Sequence, residues 1–592
     1  MAVAHRTRVI VMVALAGYAC GGVLAWAADF HMFVQIEPFV HYLDPRALRA
    51  HFWESLLYLH AQPPLLNFIL GAALKLEQAG GPSIRESLFW MQQALGALAA
   101  VGVGALAARM IRSTAVACLA TLVFVLHPMF HAHATVFFYT IHELLFLVWM
   151  AVFVERYLRR RRAADFAGAG FFAVALVYTH ALFSPLWAVA ALAGLYGLDP
   201  RRRPGRAPRR MVPVTLCLAV VLCAWPLKNW IIFDSFSYTS WLGYNLAHNY
   251  FSNSEHILPD ARGLYRPERL GAESVRWTLG HAEFDLVPRA PRLQFEYTVA
   301  HPAAGAAQPV RVTMRVDGKP VLEDSITSRG PQRRQLAVRV LDRRQRVEFD
   351  VAPTWRDEIG RELGIAIGPM RWLATTGSLE ARILMPPEIT HGVPTKLRHV
   401  PALVKPLKPG NHTNCNHYWM FDFSRRGLDL TVRALRRNPR LLLDKIAANY
   451  LFYTRFSGRH PNSGDLGCPP GSLLWRWKKI YEIGLCQDAR PDSKLSETGL
   501  TSFRPVSGFM LTFPALIALI AAQIARRWRV RPVRARTALF MLTCIVWVFL
   551  LSVVVDGLEG NRLRFATLPF LIILACGLLP VAVRRRPLTP SA

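Results

Sequence analysis

Acid is scarce in this sequence. Its 592 residues carry 39 Asp and Glu against 70 Lys and Arg, a formal net charge of +31 at pH 7. Charged residues of both signs make up only 18% of the chain, below the roughly one quarter usual in soluble domains. With 53% hydrophobic residues, that deficit excludes a string of ordinary soluble domains. Cysteine is also sparse. Of the nine present, Cys20, Cys118, Cys217, Cys223, Cys544 and Cys576 lie inside apolar runs, where a thiol packs as a small hydrophobe. Cys415, Cys468 and Cys486 lie outside those runs. An oxidising compartment favours one disulfide there, with Cys468–Cys486 closing a short loop. No cysteine spacing suits zinc. A P-loop and a dinucleotide fingerprint are missing, which removes the nucleotide folds they define. Internal repeats are missing too, which weighs against a transporter built from paired halves.

What is present is a series of long apolar runs that end in arginine. Basic clusters at Arg109/Arg112, Arg159–Arg162, Arg201–Arg210, Arg526–Arg536 and Arg584–Arg586 each follow such a run. This is the positive-inside pattern of cytoplasmic loops. A groove-binder would not interleave its cations with membrane spans, so no nucleic acid is expected as a partner. The start, Met1–Arg8 followed by Val9–Ala28, resembles a signal peptide. The apolar run is long and lacks a convincing cleavage site, so it reads as a retained span with a cytoplasmic start.

Spans need roughly 20 apolar residues. The candidates are Val9–Ala28, Leu88–Ala108, Ser113–Phe130, Val136–Val154, Ala164–Leu182, Leu186–Leu198, Val212–Phe233, Val506–Ala525, Thr537–Val555 and Phe565–Val583. The expected fold is therefore a membrane α-helical bundle of about ten transmembrane helices, both termini cytoplasmic, in a bacterial inner membrane. Pro63–Leu76 is too short to cross, and counting it as a span would put two basic clusters outside; it reads as a helix at the interface, with a tilted span as the alternative. The expected divisions are an N-terminal membrane module at 1–233 with a first outside loop at 29–87, an outside region at 234–505, and C-terminal membrane helices at 506–592. In the outside region Val310, Val312, Met314 and Val316 alternate with polar residues, and Asp317-Gly318 follows as a hairpin signal. Similar alternation recurs at Leu336–Val340 and Val347–Val351. About 274–375 thus reads as an inserted periplasmic β-sandwich, with a helical part at about 424–456.

The residues that can carry chemistry gather on the outside face. In the first loop Glu37 and Asp44 sit among apolar residues, with Asp29 close to the end of the first span. A carboxylate in a partly apolar setting can take a proton from an acceptor hydroxyl. The competing reading is helix capping, for which Asp44-Pro45 is well suited. His60 and Gln62 precede Pro63-Pro64, at a helix start whose amides open toward an anion; simple helix initiation is the alternative. His131 and His133 in a short second loop can touch a phosphate or share a divalent cation, although no carboxylate stands near them in sequence. His142 and Glu143 lie within the fourth apolar run, where ionisable groups face a polar interior. Lys228, Arg562 and Arg564 are cations on the side that the charge rule depletes. They suit a departing phosphate or snorkelling to headgroups. Trp241 and Asn245 belong to a stretch, Ser237–Phe251, that mixes aromatics with amides as sugar sites do; Asn411–Phe423 is another.

These features resemble the GT-C superfamily of polytopic glycosyltransferases that use polyprenyl-phosphate sugars. The likeness rests on the acidic first loop, the "QPPLLNFILG" helix, a second loop opening with "LHP" and the late "EGNRLRFATLP" segment. It covers the membrane part, about half of the chain. The resemblance implies an inverting transfer at the outer face from a lipid-linked sugar donor to a glycan, lipid or protein acceptor. Glu37 or Asp44 would be the base, and the lipid phosphate would leave. Two departures stand out: the first loop lacks an Asp-Glu or Asp-Asp pair, and His131 and His133 stand where many members carry an acid. A flippase of lipid-linked glycan, and a non-catalytic glycan-binding membrane protein, are the competing expectations.

Overall fold

The computed structural model describes residues 2–28, 30, 32, 36, 41–197, 211–243, 245–246, 262–264, 268–270, 273–286, 288, 290–299, 308–339, 345–356, 362–374, 377–380, 393–405, 407–408, 412–437, 439–454, 477, 508–555 and 560–578. The chain divides into two units: residues 1–240, 407–416 and 443–592 form one, and 241–406 with 417–442 form the other.

The first unit is helical. Its helices are α1 (Ala2–Ala27), α2 (Pro45–Ala50), α3 (Phe52–Leu57), α4 (Leu65–Gln78), α5 (Ile84–Met110), α6 (Thr114–Val125), α7 (Pro128–Ala134), α8 (Tyr139–Arg160), α9 (Ala163–Thr179), α10 (Pro185–Gly197) and α11 (Val212–Phe233), followed later in the chain by helices Gly508–Arg527, Pro532–Val554 and Gly560–Leu578. Their ends follow local sequence. Ser83 and Glu86 form a reciprocal capping box that starts α5. His127-Pro128 breaks the third apolar run, and the His127 ring accepts from the Met129 amide, 3.2 Å, to start α7. The helices α6 and α7 are bent by 52° at that break. Small residues admit large partners: a side chain at Gly96 would put its Cβ 2.3 Å from the Tyr18 hydroxyl of α1.

Among the described residues, four helices are long and apolar enough to cross a membrane: 4–27, 84–110, 212–233 and 532–554; the bent pair α6–α7 makes up to five. About ten spans is therefore more than these helices support. Each of the ten apolar runs contains a helix, but helix content alone does not make a span. At 1.5 Å per residue α9 is about 26 Å long and α10 about 20 Å, short of a hydrocarbon core of about 30 Å. Helix α8 has the length but carries Glu143, Glu155, Arg156, Arg159 and Arg160. Helix α4, at 14 residues, is about 21 Å long; it buries Leu66, Asn67, Leu70, Gly71 and Leu74 on one face.

The second unit contains the strands β1 (Arg262–Leu264), β2 (Glu268–Leu270), β3 (Glu273–Leu286), β4 (Arg292–Val299), β5 (Val310–Val316), β6 (Lys319–Ile326), β7 (Gly330–Ala337), β8 (Gln345–Ala352), β9 (Trp355–Arg356), β10 (Glu362–Leu363), β11 (Ala366–Ala374) and β12 (Gly377–Glu380). Seven of them run in one continuous antiparallel order, β6-β5-β8-β3-β11-β4-β7. The alternation read from sequence puts Val310, Val312 and Met314 inside with Val347, Phe349 and Val351. Asp317 and Gly318 both take positive φ, 48° and 76°, and join β5 to β6 with Val316 opposite Lys319. The expected sandwich of two sheets is replaced by one sheet curled into a near-barrel. Side chains link its end strands: Asp324 of β6 accepts from Arg334 of β7 at 2.6 Å and from the Tyr297 hydroxyl. Period-two alternation fixes which face is inside but not which strands are neighbours, so the sequence alone could not separate the two.

Candidate functional site

The segment between α1 and α5 is built into the first unit by polar side chains from distant parts of the chain. At its start Asn67 of α4 turns back: its Oδ1 accepts from the Leu43 amide at 2.8 Å and its Nδ2 donates to the His41 carbonyl at 3.1 Å. The Tyr42 hydroxyl donates to the Phe137 carbonyl, and the buried Lys408 ammonium donates to the Tyr42 carbonyl at 3.1 Å. Asp44 follows at once. Its side chain accepts from the Arg46 amide at 2.8 Å and caps α2, with Pro45 in the first turn. Of the two readings of Asp44, the cap is therefore formed. Asp29 and Glu37 lie outside the described residues.

His60 is fully buried and both ring nitrogens are engaged. Nε2 lies 3.0 Å from the Asn416 carbonyl and must donate to it, so in the neutral ring Nδ1 accepts from the Ser240 hydroxyl, also at 3.0 Å. The Asn416 side chain completes a clasp. Its Oδ1 accepts from the amides of His60 and Ala61, at 2.9 and 3.3 Å, and its Nδ2 donates to the Tyr58 carbonyl at 3.1 Å. Thr239 donates to the Ala61 carbonyl. Gln62 is buried in the same turn. Lys228 of α11 donates to the Leu59 carbonyl, and its ammonium lies 3.7 Å from the Trp225 ring centroid. Both His60 and Lys228 touch Phe233. The structure thus brings His60, Gln62 and Lys228 together.

A second group sits on α8. Glu143 is buried, and its Oε1 lies 2.6 Å from Nδ1 of His180, the residue that ends α9. The Tyr139 ring stacks on His180 with centroids 3.9 Å apart. His142, also buried, donates from Nδ1 to the Phe138 carbonyl at 3.1 Å, and its Nε2 has no hydrogen-bond partner among the described residues. The same holds for the hydroxyl of Thr140 and for Oε1 of Gln92.

The second-loop histidines form a third group. His131 donates from Nε2 to the Val125 carbonyl at 2.9 Å and stacks on Tyr18. His133 is buried with its ring 4.9 Å from Phe565, next to Arg564. Arg562 stands in the first turn of helix Gly560–Leu578, but its side chain lies outside the described residues. Trp241, which is buried, and Asn245 belong to the second unit; the Asn245 amide donates to the Trp241 carbonyl at 2.9 Å. Among the described residues no three His, Cys, Asp or Glu side chains converge on a point that could hold a metal ion.

Several of these residues escape a reading of the sequence. His180 ends an apolar run with no acid near it in sequence, and its partner is 37 residues away. Asn416 and Ser240 lie in or beside the amide-rich stretches but do not stand out within them. Also in the second of those stretches, His417 is buried in the second unit, and its Nε2 lies 2.9 Å from the Val404 carbonyl. Burial lowers its pKa to about 4, with the Val404 hydrogen bond pulling the other way, so the ring is neutral at pH 7. The cysteines Cys468 and Cys486 lie outside the described residues. In comparisons with known proteins, no family model and no curated protein matches the chain.

Proposed function

We propose that the chain is an integral membrane glycosyltransferase that moves a sugar from a polyprenyl-phosphate donor to a cell-envelope glycan, lipid or protein acceptor. On this reading the chain crosses a bacterial inner membrane about ten times, the shorter helices included, with the β-rich unit periplasmic. A carboxylate of the first outside loop, Glu37, Asp44 or Asp29, takes the acceptor proton as the sugar is transferred. Lys228, Arg562 and Arg564 face the charge that builds on the departing lipid phosphate. The observation that carries the reading is the clasp around residues 58–62. Asn416, with Ser240 and Lys228 from a second, distant stretch, holds one turn of the first loop beside a cation. That is the kind of fixed, partly desolvated setting a transfer site needs.

The test is transfer from a lipid-linked sugar by membranes bearing Glu37→Gln, Asp44→Asn or Asp29→Asn. Loss of a general base costs about 10²- to 10⁴-fold in rate, so at least one of the three is expected to fall by that much with normal protein levels. Full activity in all three would remove the base assignment. Mass spectrometry of the lipid-linked sugars and surface glycans that change on gene removal would identify the donor.

A further inference from the structure

We infer that the groove between helices Gly508–Arg527 and Pro532–Val554 is a binding site for one anionic phospholipid. The groove has a volume of about 670 Å³. Its walls are apolar, formed by Ala521, Ile524, Leu539 and Leu542, and its mouth carries Arg526, Trp528 and Arg529 at the turn that joins the two helices. Arg526 and Arg529 are exposed. Arg536 lays its guanidinium over the Trp528 ring, 5.1 Å from the centroid, and its Nε and Nη1 are buried with no hydrogen-bond partner among the described residues.

The cations around this mouth exceed the acids that serve them. Arg527 spends its guanidinium on the Gly577 and Leu578 carbonyls, at 2.8 and 2.6 Å. It also feels the like charges of Arg531, Arg112 and Arg526. Arg534 feels those of Arg112, Arg531, Arg159 and Arg6. The buried carboxylates Glu155 and Asp165 are engaged elsewhere, Glu155 by Arg109 and Arg159 and Asp165 by Arg156. Among the described residues no carboxylate pairs with Arg526, Arg529, Arg531, Arg534 or Arg536. An apolar trough closed at one end by surplus guanidinium groups matches an acyl chain beneath a phosphate with net negative charge. A zwitterionic headgroup would bring its own cation into that crowd, and a free phosphate would leave the trough unfilled.

The experiment is thermal unfolding of the full chain in neutral detergent with added phosphatidylglycerol, phosphatidylcholine of the same acyl chains, or inorganic phosphate. Phosphatidylglycerol is expected to raise the melting temperature saturably, and the other two are not. At about a fivefold loss of affinity per cation removed, Arg526→Gln with Arg529→Gln should need about 25-fold more phosphatidylglycerol for the same shift. Ala521→Trp fills the trough and keeps the cations; it should lose the shift as well, which holds the test open should the arginine pair fail to fold. Equal stabilisation by phosphatidylcholine would mean an apolar surface without selectivity. Equal stabilisation by inorganic phosphate would mean a bare anion site. Either result, or a wild-type response in both variants, overturns the assignment.

Discussion

Asn416 shows how much one side chain can decide. It satisfies two amides and a carbonyl of residues 58–61, which lie more than 350 positions earlier in the chain. Leaving a buried polar group unsatisfied costs about 1–3 kcal/mol. Asn416→Ala is therefore expected to lower the melting temperature of the purified protein and to open residues 58–62 to proteolysis. An unchanged melting temperature and digestion pattern would mean that the clasp is not a structural constraint. Glu143 and His180 make the complementary point. The sequence marks Glu143 as an expensive group in an apolar run, yet nothing near it names the partner, because that partner comes from the end of the next helix. The same holds for His60. Its position before Pro63-Pro64 suggests a ligand contact, but its two nitrogens are committed to Asn416 and Ser240, which makes it a positioning residue for the turn.

Helix ends follow local rules, although only one of these was read from the sequence. Asp44-Pro45 starts α2 as read, whereas Ser83 and Glu86 start α5, and His127-Pro128 divides into α6 and α7 the run expected as the single span Ser113–Phe130, each through contacts within three residues. The Asp317-Gly318 hairpin is of the same kind, since two positive φ values suit the twist of the flanking strands. An L side chain in that backbone region costs about 1–2 kcal/mol. Gly318→Val should accordingly speed protease cleavage within 273–380 while leaving the helical unit intact. Equal cleavage of the wild type and the variant would show that the turn is not stressed by a side chain. Span number was less legible, because an apolar run and a membrane-crossing helix differ in length and charge placement: α9 and α10 are short, and α8 carries five charged residues.

At the scale of the whole molecule, the placement of arginine sets the proposed orientation. The turn at 526–536 should face the cytoplasm and the β-rich unit the other side. In a cysteine-free background, a membrane-impermeant maleimide added to intact cells should label Lys319→Cys and spare Val530→Cys until the membrane is opened. The reverse pattern would invert the topology and move the first loop away from the proposed donor face. The sequence by itself determined the apolar helical runs, the cap at Asp44, the alternating strands, the hairpin and the basic helix ends, because each depends on neighbours within a few residues. Only the tertiary structure decided that the strands curl into one near-barrel instead of two sheets. It also decided that Glu143 meets His180 and that Asn416 closes on His60. These are choices of partner across long stretches of chain, fixed by packing and by the need of buried polar groups to find one another, and no local pattern encodes them.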